Sequence, residues 1–165
     1  NPAIKGASDR EALIKAVNDD RIDIIATDHA PHTASEKGKS YFKAPAGLPL
    51  VQHVMLCLFD LVQSGQLDYE RVVDKTAHAV ADIFGVVDRG YVREGYFADL
   101  VLMDPDRPTL VQSSNLYAKC HWSPFEGHTF RSTVDTTIVN GVVVYVDGEL
   151  TGEIPGEKLA CNRAR

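Results

Sequence analysis

The sequence predicts an α/β chain built in two regions, and three observations carry that prediction. A capped helical pattern leads into a short β-branched run, Ile22-Asp23-Ile24-Ile25-Ala26, which stops at a dense polar cluster. Two further helical stretches follow, each closed by turn residues. From Arg89 onward helical periodicity gives way to strands and turns, including an Asn140-Gly141 hairpin signal. Residues 1–88 are therefore read as helix-rich around one buried strand, 89–155 as a β segment, and 156–165 as a weakly patterned, poorly ordered tail.

Each element has a local reason. Ser8-Asp9-Arg10-Glu11 fits a capping box, and Ala12, Leu13, Ala16 and Val17 form the apolar stripe of the helix it starts. Asn18-Asp19-Asp20 ends it. The run at Ile22 then reads as a buried parallel strand. Its end, Thr27-Asp28-His29-Ala30-Pro31-His32, lies where α/β barrels place their chemistry. The Lys-, Ser- and Gly-rich stretch from Thr33 to Pro45 reads as a mobile loop at that mouth. A helix from about Leu50 to Ser64 presents Val51, Val54, Met55, Leu58 and Leu61. Asp68 caps a helix from Tyr69 to Lys75, Ala77 to Phe84 is another, and Gly85 suits a left-handed C-terminal stop. Ala98 to Asp104 reads as a strand. Thr136–Val139 and Val142–Val146 read as hairpin arms, because Asn-Gly tolerates the positive φ of a type I′ turn.

Composition narrows the function classes. With 165 residues, 44% hydrophobic and 24% charged, the chain suits one soluble domain. A net charge of −6 offers no basic surface for nucleic acid. No apolar run reaches the ~20 residues of a membrane span. Cys57, Cys120 and Cys161 are widely separated, which fits a reducing cytoplasm rather than a disulfide framework. The chain opens on Asn1 rather than Met, so a processed chain or a piece of a longer protein is expected.

Asp28 at a strand end is a competent zinc ligand and proton carrier, with His29 and His32 within four residues. The residues alone leave two readings: a metal or acid–base site, or an Asx turn with histidines on a solvated loop. His53 and His78 read as packing on helices. Adjacent Cys120-His121 lacks a partner pair for a metal, Asp104-Pro105-Asp106 reads as a turn, and Trp122 as a packing anchor.

Thr27-Asp28-His29-Ala30-Pro31-His32 resembles the strand-8 motif of dihydroorotases, zinc-dependent cyclic-amide hydrolases of the amidohydrolase superfamily. Further matches follow in order: Asn1-Pro2, Ala46-Gly47-Leu48-Pro49, Glu94-Gly95-Tyr96-Phe97-Ala98-Asp99-Leu100-Val101, Trp122-Ser123-Pro124-Phe125-Glu126-Gly127, and Val139-Asn140-Gly141 with Asp147-Gly148. The six-residue motif is the specific one, because the β-region motifs occur across the superfamily. The resemblance implies the C-terminal part of a (β/α)8 barrel plus part of a small β-domain. It implies reversible hydrolysis of L-dihydroorotate to N-carbamoyl-L-aspartate in pyrimidine (UMP) synthesis, with a pair of zinc ions in the complete site.

Asp28 would then be both metal ligand and catalytic residue, moving a proton between the attacking hydroxide and the ring nitrogen. His32 would bind the substrate carboxylate. Asn1 and the backbone at Ala46 and Gly47 would contact the substrate, and His29 would make a supporting hydrogen bond. One departure stands out: Lys5 lies where the family usually has an Arg. Expected partners are the small-molecule substrate and further copies of the chain in a homo-oligomer, with no nucleic acid and no membrane. The alternatives are another cyclic-amide hydrolase, allantoinase or dihydropyrimidinase, and a non-catalytic scaffold of the same family. The expectation for these residues alone is an incomplete, inactive fragment.

Overall fold

The computed structural model describes residues 6–162. The first helix, α1, runs Ala7–Asn18. Its cap differs from the predicted box: Asp9 reaches back to accept the Gly6 N–H at 2.9 Å, so the helix starts one residue before Ser8. Ile14 and Val17 face the core, whereas Leu13 is exposed.

The run Asp23–Thr27 forms neither helix nor turn, and it has no ladder among the described residues, so it is not a paired strand there. A strand is defined by its hydrogen-bonded neighbours, and among the described residues this one makes a single backbone tie, from Ile25 N–H to the Lys75 carbonyl at 2.9 Å. The stretch read as a loop contains a short helix, α2, Ala34–Lys37. Thr33 and Glu36 build its capping box: the Glu36 carboxylate accepts the Thr33 N–H at 2.8 Å, and the Thr33 hydroxyl accepts the Glu36 N–H at 3.3 Å.

Helix α3, Val54–Gln63, joins the two cores. Leu58 packs with Val17, Leu67 and Val72; Leu56 packs with Val111, Leu116 and Phe130. Val51, placed on the predicted apolar face, is instead exposed, because the helix begins three residues after it. Burying side chains such as Val72 and Val111 contributes roughly 1.5–3 kcal/mol each.

Asp68 caps α4, Tyr69–Val73, by accepting the Arg71 N–H at 2.6 Å, as expected. The two helices predicted after it are one continuous rod: a π-helical turn, Asp74–His78, connects α4 to α5, Ala79–Phe84. Gly85 closes it with φ 61°. Lys75, 5% exposed, sits in the π turn with its ammonium 2.8 Å from Asp20. That bond pulls the Asp20 carboxyl below the usual carboxylate range.

The β region follows. Strands β1 (Leu100–Asp104), β4 (Thr133–Val139), β5 (Val142–Val146) and β6 (Glu149–Leu150) form an antiparallel sheet in the order β1-β4-β5-β6. Between β1 and β4, a smaller sheet pairs β2 (Thr109–Leu110) with β3 (Thr129–Phe130). The β4–β5 turn has Asn140 at φ 49° and Gly141 at φ 80°, the expected type I′ geometry. Asn140 also accepts from Arg89 and donates to the Pro155 carbonyl. The weakly patterned tail is docked rather than loose through residue 162: Val87 N–H donates to Ala160 and Asn162 N–H to Gly85.

Candidate functional site

The run Asp23–Thr27 leads directly into Asp28, which is exposed. Asp28 has φ 44°, a left-handed conformation that Asp tolerates better than most residues. The turn carries His29 against the start of the next helix. There the His29 Nδ1 accepts the backbone N–H groups of Leu50 and Val51 at 3.0 and 3.1 Å. Accepting at Nδ1 leaves the ring proton on Nε2. The supporting hydrogen bond expected of His29 is therefore made to the backbone.

Two segments that are distant in sequence meet here. His29 and Leu48 form a parallel bridge, and Ala30 N–H donates to the Leu48 carbonyl at 3.1 Å. Gly47, φ 113°, lies so close that a Cβ on it would be 2.5 Å from the Ala30 Cβ and 2.8 Å from the Ala30 carbonyl oxygen. Glycine is thus required twice over, by backbone conformation and by space. Ala46 is exposed next to it.

His32 is half-buried, and its carbonyl accepts the Trp122 indole N–H at 2.6 Å. Trp122 was expected only to pack; it also ties the motif to the β region. Lys37 donates from its ammonium to the Pro45 carbonyl at 2.9 Å and the Gly47 carbonyl at 3.0 Å. Sequence reading missed Lys37. Thr33-Ala34-Ser35-Glu36 was the available signal, since a capping box there places a helix, and Lys37 on its last turn. Asn1 lies outside the described residues, as does Lys5.

A cavity of about 220 Å³ adjoins the motif, lined by His29, Pro49, Gln52, His53 and Trp122 among others. His53 is 3% exposed, 5.5 Å from the Phe125 ring and stacked 6.1 Å from Phe130. Burial pushes its pKa down, favouring the neutral ring. His78 stacks on Tyr91 at 4.1 Å. A larger cavity, about 690 Å³, lies between the segment 51–56 and the β-sheet, and none of residues 27–32 lines it.

Among the described residues no three His, Cys, Asp or Glu side chains come together as a metal-holding group. The exposed Asp28 carboxylate is an oxygen donor of a type that metal ions accept.

The model of the amidohydrolase family matches residues 4–144. The chain belongs to the amidohydrolase family. This amidohydrolase chain is 40% identical over 159 residues to a dihydroorotase of Halobacterium salinarum, covering 96% of the chain and 37% of the relative. It is 40% identical over 148 residues to a dihydroorotase of Clostridium acetobutylicum, covering 89% and 35%. The chain thus spans little more than a third of these relatives. Among solved structures it superimposes on L-hydantoinase (dihydropyrimidinase) from Arthrobacter aurescens with TM-score 0.86 and 28% identity, over 92% of this chain and 35% of that one. The D-hydantoinase (dihydropyrimidinase) from Thermus sp. gives 0.85 and 26%, over 93% and 34%. The fold is accordingly that of the α/β barrel enzymes of this family over part of their length.

Proposed function

We propose that this amidohydrolase chain is the C-terminal portion of a dihydroorotase, which hydrolyses L-dihydroorotate reversibly to N-carbamoyl-L-aspartate in pyrimidine synthesis. The observation that carries the reading is the pairing of the Asp28–His32 motif with the Gly47 loop, in a chain 40% identical to dihydroorotases over nearly its whole length. The hydantoinase likeness supports the shared fold and the cyclic-amide class; at 28% identity it is the weaker of the two. His32 favours dihydroorotate over a hydantoin, because an imidazole recognises the carboxylate that hydantoins lack.

Roles follow from position. Asp28 carries the proton: its carboxylate takes one from the attacking water and returns it to the ring nitrogen as the amide C–N bond breaks. Run backwards, the same carboxylate deprotonates the carbamoyl nitrogen for ring closure. His32 binds the substrate carboxylate, and Ala46, Gly47 and Asn1 orient the ring. Asp28 would hold zinc as one ligand, and bound zinc lowers the pKa of water and polarises the carbonyl. The remaining ligands would come from outside residues 6–162. No described helix is long and apolar enough to cross a membrane; a small-molecule substrate, a cytoplasmic setting and assembly with further copies of the chain belong to the same proposed reading. The test is ring opening by the full-length, zinc-loaded protein of L-dihydroorotate, hydantoin and dihydrouracil side by side. Dihydroorotate should be the preferred substrate; preference for either carboxylate-free ring would overturn the assignment in favour of the hydantoinase class.

A further inference from the structure

We infer that Lys37 is a positioning residue that sets the orientation of the substrate-contacting backbone at Ala46–Gly47; the inference rests on the dihydroorotase reading of that loop. An ammonium has three donors, and Lys37 spends two on the carbonyls of Pro45 and Gly47, at 2.9 and 3.0 Å. In a trans peptide the carbonyl and the following N–H point in opposite directions. Drawing the Pro45 carbonyl toward Lys37 therefore turns the Ala46 N–H to the other side. The Gly47 carbonyl belongs to the Gly47–Leu48 peptide, so drawing it in fixes the far side of Gly47, and the Ala46–Gly47 peptide is held between two clamped neighbours. The clamp thus acts on the backbone groups that would meet the ring.

The base of the clamp is itself held. Lys37 ends α2, which starts directly after Thr33, the residue following His32. Thr33 and Glu36 lock that helix reciprocally; the Thr33 hydroxyl, at 2.7 Å, and the Thr33 N–H both donate to the Glu36 carboxylate and hold its carboxyl below its ordinary range, so the cap stays intact at neutral pH. The His32 carbonyl is in turn held by the Trp122 indole N–H. The proposed carboxylate-binding residue and ring-contacting loop are therefore spaced by one short rigid connection. The tip between them lies outside the clamp, with Tyr41 82% and Phe42 96% exposed. The clamp thus holds the base of this loop, whereas the exposed tip, among the described residues, makes no hydrogen bond to Lys37.

The experiment compares Lys37→Met, Lys37→Gln and Lys37→Arg in the full-length enzyme. Steady-state kinetics with dihydroorotate are combined with hydrogen exchange over residues 44–48. Losing charge-assisted bonds to two carbonyls should raise KM about ten- to hundredfold in Lys37→Met, with kcat within about threefold. Lys37→Gln, with one amide donor group, should fall between, and Lys37→Arg should recover most of the loss. Exchange over residues 44–48 should quicken in the same order. Unchanged KM and exchange in Lys37→Met, or a fall in kcat alone, would overturn the clamp while leaving dihydroorotase activity standing. Should the unsubstituted enzyme not open dihydroorotate, the functional reading fails, and exchange alone decides whether Lys37 holds the loop. Should Lys37→Met not fold, the Gln and Arg variants carry the same comparison.

Discussion

Replacing Gly47 by alanine should dismantle the contact between the two motif segments without unfolding the chain. The backbone there has φ 113°, and an added Cβ would stand 2.5 Å from the Ala30 Cβ and 2.8 Å from its carbonyl oxygen. Ordinary contact between carbon atoms starts about 1 Å further out. Holding an L-residue in this backbone region costs about 1–3 kcal/mol, and overpacking adds about 1–3 kcal/mol. The loop lies at the surface, so it escapes by moving away rather than by transmitting the strain to the cores. A displacement driven by even about 2 kcal/mol shifts the paired and open forms roughly thirtyfold. The expected readout is a rise in KM for dihydroorotate of at least about tenfold, with faster exchange over residues 28–32 and 45–48 and little change in melting temperature. Adding Ala30→Gly removes the Cβ contact but neither the carbonyl contact nor the backbone strain, so it should restore only part of the loss. A KM within about twofold of the parent in Gly47→Ala would refute the reasoning, as would complete recovery in the double variant.

Four further outcomes are expected. Asp28→Asn should abolish turnover in the full-length enzyme with the fold intact, since an amide carries no proton; near-normal kcat in a well-folded variant would remove the assigned role. His32→Ala should weaken binding of dihydroorotate by about one to two decades and spare an analogue without the carboxylate, whereas equal losses would show that His32 does not read that group. Burial holds His53 below its ordinary value of 6.5. The unfolded chain therefore takes up the proton first, and stability should fall as pH drops from about 6.5 toward the depressed folded value. Denaturation across pH should show this slope reduced in His53→Phe, and an identical slope would exclude His53 as its source. Residues 1–165 alone should neither open dihydroorotate nor retain zinc tightly, because Asp28 is the one proposed ligand among them and zinc takes about four; metal analysis with an activity assay checks both.

Where structure is decided by neighbouring residues, the sequence was readable. Asn140-Gly141 specifies its turn by tolerance of positive φ, Asp68 caps its helix three residues on, and Gly85 stops the last helix. Where distant groups decide, it was not. The π turn at Asp74–His78 fuses two predicted helices, and the Lys75 side chain and carbonyl are both engaged by the segment 20–25. Nothing in a local pattern reports such a tie. Ile22–Ala26 has the composition of a strand, but composition supplies no hydrogen-bonding neighbour. In the site, Asp28, His32, Ala46 and Gly47 were picked out by the resemblance of their motifs. The Gly47–Ala30 contact, the His29 bonds to Leu50 and Val51, and the ties made by Lys37 and Trp122 required the fold.

The most direct test of the account is a structure of the full-length zinc-loaded protein with L-dihydroorotate bound. The Asp28 carboxylate should lie at the metal and within hydrogen-bonding reach of the ring nitrogen, with the His32 imidazole on the substrate carboxylate and the Ala46–Gly47 backbone on the ring. A substrate carboxylate held elsewhere, with Asp28 remote from both metal and ring nitrogen, would contradict it.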